Sequence, residues 1–122
     1  MESERGAPLE TYIQQAFIQW VHLAERTIPA LKLLFAVPNG GKRSITTAVT
    51  LKKEGARAGV PDTMLPVPRK GFSGLAIEFK RPGGTTSDEQ VDYINRLLEE
   101  GWRVAICTDA EVAIQTVKDY LA

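Results

Sequence analysis

The segment from Gly74 to Lys80 alternates between two kinds of side chain, and this alternation strongly constrains the fold. A strand with this sequence has an apolar face, which carries Leu75, Ile77 and Phe79, and an opposite face, which carries Ala76, Glu78 and Lys80. The apolar face has to be buried against a second layer of structure. We therefore expect a β-sheet covered by helices, with a charged pair fixed on one face of a strand.

Helices and strands alternate along the rest of the sequence. The spacing of apolar, capping and turn residues predicts four elements in the first half: a helix over Leu9–Arg26 opened by Pro8, a strand over Leu31–Val37, a helix over Ser44–Ala56 and a strand over Val60–Val67. The second half is predicted to contain a strand over Gly74–Lys80, a helix from the Ser87–Gln90 capping box to Gly101, and a buried strand over Trp102–Thr108. A last helix, capped by Thr108 or Asp109, is predicted to end at Leu121. The predicted class is α/β, a mixed β-sheet flanked by helices in the order α-β-α-β-β-α-β-α. A single domain over residues 1–122 is expected.

Length and composition exclude several other classes of protein. A chain of 122 residues with 43% hydrophobic residues has the size of one globular domain, and no apolar stretch approaches the ~20 residues of a membrane span. One cysteine, Cys107, and one histidine, His22, can form neither an internal disulfide nor a closed zinc site. The N-terminal residues do not resemble a signal peptide, so we expect an intracellular protein with no membrane partner.

Charge is unevenly distributed, although 15 basic and 15 acidic residues cancel over the whole chain. From Gly40 to Arg81 there are nine basic and three acidic residues, so this segment has an excess of six positive charges and the remainder has the opposite excess. A basic segment of this kind is a candidate contact surface for phosphate groups. A solvated surface with uneven charge explains the same distribution equally well.

Two carboxylates and a lysine form the pattern with the clearest chemistry. Fifteen residues separate Pro61-Asp62 from Glu78-Phe79-Lys80, and pairing of the two strands would bring Asp62, Glu78 and Lys80 together. Adjacent carboxylates repel each other, and a divalent cation such as Mg²⁺ removes this repulsion. A cation in that position activates water and stabilises a charged phosphoryl oxygen, which predicts phosphodiester hydrolysis. Because Glu-x-Lys is also a common surface ion pair and Pro-Asp a turn signal, structural roles remain an alternative.

A string of motifs extends this pattern over most of the chain, from about Leu9 to Leu121. The motifs are Asn39-Gly40-Gly41-Lys42-Arg43, Glu54-Gly55 followed by Gly59-Val60-Pro61-Asp62, Gly74-Leu75-Ala76-Ile77-Glu78-Phe79-Lys80, Ser87 to Gln90, and Gly101-Trp102-Arg103-Val104. In this order they resemble the VRR-NUC family, the virus-type replication and repair nucleases of the PD-(D/E)xK superfamily. The resemblance implies a restriction-endonuclease-like core and Mg²⁺- or Mn²⁺-dependent cleavage of DNA. It also suggests a homodimer that acts on branched DNA as a Holliday junction resolvase does, in the cytoplasm of a phage-infected or bacterial cell, in DNA repair.

The resemblance assigns roles to the residues of the charged cluster. Asp62 and Glu78 would be the metal-binding carboxylates, and Lys80 would position the attacking water. The backbone carbonyl of Phe79, between Glu78 and Lys80, resembles the main-chain metal ligand of the family. Together with Gln90, the two carboxylates and the lysine are the candidate catalytic residues.

Two further polar residues match the family outside the two strands. Gln90 corresponds to the glutamine that follows the catalytic strand, and its alternative role is the capping-box partner of Ser87; the two roles are compatible. Glu10 resembles the acidic residue of the first helix, which would face the metal through water or a second ion. A solvated glutamate in the first turn of a helix fits Glu10 equally well. Tyr93 stands where many family members have a tryptophan.

The basic segment supplies the candidate DNA contacts, all of them contacts to phosphate that read no base sequence. They are Lys42, Arg43, Lys52, Lys53, Arg57, Arg69 and Lys70, with Arg43 ranked first because it lies beside the Gly40-Gly41 turn. Specificity for DNA structure over DNA sequence is therefore expected.

Three classes of function remain open from the sequence. The first is the metal-dependent nuclease. The second is a non-catalytic DNA-binding module that retains the nuclease fold, which the intact Asp62, Glu78 and Lys80 disfavour. The third is a structural or protein-interaction domain in which the charged cluster is a surface ion pair.

Overall fold

The computed structural model describes residues 2–38 and 45–122, with side chains from Leu9 onward. Its elements are α1 (Glu2–Ala24), a 3₁₀ helix (Pro29–Leu33), β1 (Phe35–Ala36), α2 (Ile45–Lys53), β2 (Thr63–Leu65), β3 (Leu75–Phe79), α3 (Asp88–Glu99), β4 (Arg103–Cys107) and α4 (Ala110–Leu121). The predicted order of helices and strands is confirmed. Within the two described ranges, none of the helices combines the length and apolar character that crossing a membrane requires.

The four strands form one mixed sheet in the order β1-β2-β3-β4. β1 pairs with β2, and β2 with β3, in antiparallel orientation, whereas β3 and β4 are parallel. Two parallel neighbours need a crossover connection, and α3 provides it between β3 and β4. β3 therefore lies inside the sheet with a strand on either side, which fixes the backbone on both flanks of Glu78.

The core lies between one face of the sheet and helices α1 and α4. Ile77 and Phe79 of β3 pack there with Phe17 of α1 and Val117 of α4, and each of these residues is at most 1% exposed. The rings of Phe17 and Phe79 lie 5.4 Å apart between centroids. Because successive strand residues point to opposite faces, this packing turns Glu78 to the face on which the N-terminus of α3 lies.

The paired part of β2 is shorter than the predicted strand over Val60–Val67. Only Thr63–Leu65 pairs with β3. Pro61 and Pro66 flank this stretch, and a proline has no amide hydrogen to donate to a neighbouring strand.

The prediction of a strand over Leu31–Val37 is wrong for its first half. Pro29 begins a 3₁₀ helix that ends at Leu33, and only Phe35–Ala36 pairs with β2. The fixed φ of proline suits a first helical turn, and the turn buries Leu31 in the core instead of extending it.

α1 (predicted over Leu9–Arg26) and α2 (predicted over Ser44–Ala56) have other bounds than predicted, whereas the predicted N-caps of α3 and α4 are observed. α1 begins at Glu2 and continues past Pro8, where the missing amide hydrogen costs the helix one hydrogen bond. The predicted capping box of Ser87 and Gln90 is confirmed at the start of α3. Asp109 rather than Thr108 caps α4, since its side chain accepts a hydrogen bond from the N–H of Val112 at 2.8 Å.

β4 is less buried than the predicted strand over Trp102–Thr108. It is the last strand in the described sheet, so one of its sides has no strand neighbour there. Ile106 is 51% exposed, whereas Cys107 is buried as expected.

A buried hydrogen bond links the C-terminal helix to the β2–β3 hairpin and can be tested directly. The hydroxyl of Tyr120 donates to the carbonyl of Val67 at 2.6 Å, and burial raises the pKa of Tyr120, which keeps the hydroxyl protonated. We expect Tyr120→Phe to lower the free energy of unfolding by about 1–3 kcal/mol, because the Val67 carbonyl then stays buried without a partner. Urea unfolding measures this loss. Tyr12→Phe is the control, since Tyr12 is 67% exposed; an equal loss in both variants would contradict the assignment.

Candidate active site

The antiparallel pairing of β2 and β3 brings the two predicted carboxylates together. Thr63 pairs with Ile77 in antiparallel orientation, so Asp62, one residue before Thr63, lies opposite Glu78, one residue after Ile77. Asp62 Oδ2 accepts a hydrogen bond from the backbone N–H of Phe79 at 2.7 Å. This bond ties the Asp62 side chain to the strand that carries Glu78 and holds the two carboxylates side by side.

Glu78 is a buried carboxylate whose two oxygens have different surroundings. The residue is 2% exposed. Oε2 accepts a hydrogen bond from Gln90 Nε2 at 2.6 Å and lies 3.4 Å from Lys80 Nζ. Oε1 is buried and has no hydrogen-bond partner among the described residues. Leaving a charged oxygen buried and unpaired is costly, so this atom requires a donor or a cation beyond those that the described residues provide.

Gln90 contacts both Glu78 of β3 and Lys80, the residue that follows the strand. Its Oε1 accepts hydrogen bonds from Lys80 Nζ and from the backbone N–H of Ser87, both at 2.9 Å, while its Nε2 donates to Glu78. The hydroxyl of Ser87 in turn accepts from the backbone N–H of Gln90 at 3.2 Å. The capping box and the contact with the charged cluster therefore use one side chain at the same time, as the sequence allowed.

Glu10 reaches the same region from α1, although it lies 71 positions before its partner in the chain. Its Oε2 accepts a hydrogen bond from the backbone N–H of Arg81 at 3.1 Å. Its negative charge is among the causes that raise the pKa of Asp62. Glu10 is thus a third acidic group beside the cluster, and it is half-buried rather than solvated.

Burial controls the protonation of the two carboxylates. Burial and the neighbouring Asp62 charge together raise the pKa of Glu78 to about 7, against the opposing charge of Lys80. Burial also raises the pKa of Asp62, against the hydrogen bond from Phe79 and the charge of Lys80. The single ammonium group of Lys80 therefore does not offset burial, and Glu78 is fully charged at neutral pH only with more positive charge nearby.

The donors of the cluster fit a hard divalent cation. Asp62 and Glu78 offer carboxylate oxygens, and one of them, Glu78 Oε1, has no hydrogen-bond partner among the described residues. The ring of Phe79 lies in the core, and its backbone carbonyl comes between Glu78 and Lys80 in the sequence. In the described ranges no group of three His, Cys, Asp or Glu side chains is arranged as a metal cage. Mg²⁺ accepts two carboxylate ligands when water and substrate fill its remaining coordination positions, whereas Zn²⁺ does not favour this coordination.

Three of the predicted DNA contacts lie together on the side of α2. Lys52 and Lys53 form its last turn, and Arg57 follows two residues after Gly55, which has a φ of +106° and ends the helix. All three basic side chains are exposed. Lys42 and Arg43 lie outside the described residues.

The other two predicted contacts lie at the far end of the β2–β3 hairpin. Lys70 Nζ donates to the carbonyl of Asp119 at 2.7 Å, and Arg69 Nη1 donates to the carbonyl of Pro68 at 2.8 Å. The length of β3, on the order of 15 Å, separates this end from Lys80. Only a DNA segment that extends beyond the charged cluster would reach both places.

Gly59 is a residue whose part in the site the sequence did not predict. It has a φ of +83°, and a Cβ added there would collide with the carbonyl of Glu89 and come within 2.8 Å of the backbone N of Gln90. The absence of a side chain lets the chain leading into Asp62 contact the first turn of α3 directly. A glycine three residues before the aspartate was the available signal, but its neighbour on α3 is visible only in the folded chain.

Comparison with known proteins identifies the class to which this fold and cluster belong. A family model of the VRR-NUC domain matches residues 4–111. A solved structure described as "VRR_NUC domain protein" has the same fold, with a TM-score of 0.74, 22% sequence identity, and coverage of 93% of this chain and 89% of that chain. Comparison with curated proteins gives no match.

The chain therefore belongs to the VRR-NUC family, and its function is of the nuclease type. The expected restriction-endonuclease-like fold agrees with the observed mixed sheet and flanking helices.

The contact between Gly59 and α3 generates a test with a matched control. Gly55→Ala introduces a side chain at positive φ in open space, so we expect it to cost about 1–2 kcal/mol of unfolding free energy from backbone strain alone. Gly59→Ala adds the collision with Glu89 and Gln90, which costs about 1–3 kcal/mol more. Urea unfolding of the two variants measures the difference, and equal losses would show that the α3 contact has no energetic weight.

Proposed function

We propose that the protein is a metal-dependent, structure-specific DNA endonuclease, formed by one domain over residues 1–122 and acting as a homodimer in the manner of a Holliday junction resolvase. The observation that carries the proposal is the buried Oε1 of Glu78, which lies beside Asp62 and Lys80 and has no hydrogen-bond partner in residues 2–38 and 45–122. An oxygen of this kind is unfavourable in an apoprotein and becomes favourable when a divalent cation binds to it.

The carboxylates of Asp62 and Glu78 and the carbonyl of Phe79 would hold the cation, Mg²⁺ or Mn²⁺. When bound, it supplies an activated water and neutralises charge on the scissile phosphate. Glu10 would act at a greater distance, through water or a second ion. Its hydrogen bond to the backbone of Arg81 keeps the end of β3 in place while its charge attracts cations into the site.

Lys80 would orient the attacking water and stabilise the negative charge that develops on the phosphoryl oxygen. Its ammonium group lies between two acceptors, Gln90 Oε1 at 2.9 Å and Glu78 Oε2 at 3.4 Å. A group held in this way needs little reorganisation during the reaction, and such preorganisation is a large part of electrostatic catalysis. Gln90 is therefore proposed to position Lys80 and Glu78.

The basic residues would bind the phosphate backbone of DNA. Lys52, Lys53 and Arg57 are the described contacts nearest to the first turn of α3, and Lys42, Arg43, Arg69 and Lys70 complete the proposed set. Contacts to phosphate position DNA without reading its bases, so a preference for branched over linear DNA would come from shape.

A homodimer would suit a junction, which has two-fold symmetry and has to be cut twice. One active site per chain satisfies this requirement when two copies pair through an isologous interface. Leu9 and Leu23 of α1 are 43% and 62% exposed, and their spacing of two heptads puts them on the same side of the helix. This side of α1 is the proposed interface.

Cleavage of branched DNA tests the catalytic proposal. With Mg²⁺ or Mn²⁺ we expect the wild type to cut a four-way junction, EDTA to abolish cleavage, and Lys80→Ala to lower the rate about 10²–10³-fold because the transition state loses a positioned positive charge. Lys32→Ala, an exposed lysine on the 3₁₀ helix, is the control and should leave the rate unchanged.

The same assay separates the alternatives. Junction binding without metal-dependent cleavage by the pure wild type would favour a non-catalytic DNA-binding module, and the absence of DNA binding would favour a structural domain. Equal cleavage of a linear duplex would contradict specificity for DNA structure.

Analytical ultracentrifugation tests the dimer independently of activity. We expect the mass of two chains in solution, and we expect Leu9→Glu with Leu23→Glu to shift the protein to one chain by placing charges in an apolar contact. A single chain both with and without junction DNA would rule out the proposed homodimer.

A further inference from the structure

A groove of about 980 Å³ lies between α3 and the chain that follows α2. One wall is formed by the segment from Lys52 to Ala58, and the other by the side of α3 that carries Tyr93, Arg96 and Leu97. We call it the α3 groove. None of the residues assigned to metal or water in the proposed mechanism lines it, although it begins beside them.

Both walls of the α3 groove lead directly to the charged cluster. The first wall continues through Gly59, which packs on the backbone of Glu89 and Gln90, and reaches Asp62 three residues later, within about 10 Å along an extended chain. The second wall begins one helical turn after Gln90, whose side chain contacts Glu78. A polymer that leaves the cluster along α3 therefore enters the groove.

The chemistry of the groove fits a polyanion with flat, apolar bases. Lys52 and Arg57 on one wall provide positive charge. Arg96 and Asp92 on the other wall form an ion pair at 3.2 Å, so their charges balance each other. Glu100, the remaining acidic residue of the lining, lies at the end of α3 that is farther from the cluster.

The wall of the groove formed by α3 supplies a surface on which a base can stack. Tyr93 and Leu97 are half-buried and lie four residues apart, so they are neighbours on the same side of α3. An aromatic ring beside cations is the combination by which proteins bind unpaired nucleotides, because every base has a flat face and every nucleotide a phosphate. A paired base has both faces covered by its neighbours in the helix and cannot use the ring.

The size of the groove also selects an unpaired strand. Its volume lies in the range of pockets that hold small molecules, and a double helix, whose major groove alone is about 12 Å wide, does not fit into it. A few nucleotides of a single strand fit into this volume.

We propose that the α3 groove binds a single-stranded DNA arm next to the cleavage site, with one base stacked on Tyr93 and phosphates held by Lys52 and Arg57. The inference rests on the proposed nuclease function and adds a contact for branched substrates that carry an unpaired strand, such as a flap or a splayed fork. Fully paired arms leave the groove unused.

Fluorescence anisotropy in EDTA tests the proposal without cleavage. The probes are a splayed fork with one unpaired arm and a blunt duplex of equal length. We expect Tyr93→Ala to weaken binding of the fork about 5- to 100-fold and to leave duplex binding unchanged, because only the fork has a base to stack. Tyr93→Phe keeps the ring and should restore fork binding to within about twofold of the wild type.

A matched control and a second variant protect this result against a folding defect. Val91→Ala trims the opposite side of α3 and should change neither affinity. Arg57→Glu changes an exposed residue, so it should fold, and it should weaken fork binding more than duplex binding and reduce the salt dependence of fork binding. Lys32→Glu, outside the groove, controls for the change in net charge.

The outcomes distinguish this inference from the proposed function. If Tyr93→Ala and Arg57→Glu change the affinities for fork and duplex equally, or change neither affinity, the proposal that the α3 groove binds an unpaired strand is wrong, even if the wild type cuts DNA with Mg²⁺. Fork binding that depends on Tyr93 would support the groove even if the pure wild type cuts nothing, in which case the nuclease proposal fails alone.

Discussion

The structure depends on one unfavourable feature, the burial of the Glu78 carboxylate in the interior strand of the sheet. Burial and the adjacent Asp62 charge raise its pKa to about 7, and Lys80 and Gln90 compensate through one oxygen only. The free-energy cost of burying the other oxygen, Oε1, is offset by the packing of apolar side chains on the opposite face of β3. A site that binds a cation requires this arrangement, because a carboxylate already neutralised by the protein would have little affinity for a metal.

The core and the charged cluster are two faces of one strand, and each sets the position of the other. Phe79 is anchored against Phe17 of α1, so the register of β3 cannot slip by one residue without exchanging its apolar and charged faces. α1 holds the end of the strand again through Glu10. α3 contributes Gln90 from the other side of the sheet, and its first turn rests on Gly59. Three elements distant in sequence therefore hold a few side chains to one geometry.

Much of the fold was predictable because local rules govern it. The alternation of apolar and other side chains predicted β3, and the capping box of Ser87 and Gln90 predicted the start of α3. Both elements form where these sequence patterns indicated. The errors fall where two local rules compete: Pro29 turns the start of an apolar run into a 3₁₀ helix, and Pro61 and Pro66 shorten β2. For the candidate site, residue spacing predicted that Asp62 meets Glu78. The bond from the Phe79 backbone and the packing of Gly59 on α3 are long-range contacts that no spacing encodes.

The sequence by itself determined which residues are the candidates for the chemistry and which face of β3 carries Glu78, because strand geometry assigns alternate residues to opposite faces whatever surrounds them. It also determined the family, through a run of motifs in order. Only the tertiary structure decided that Gln90 bridges Lys80 and Glu78 and that Glu10 approaches the cluster. It also decided that one oxygen of Glu78 is buried with no partner in the part of the chain that the structure describes. The physical reason is that burial and hydrogen-bond partners depend on how separate elements pack together, and packing is a property of the folded chain.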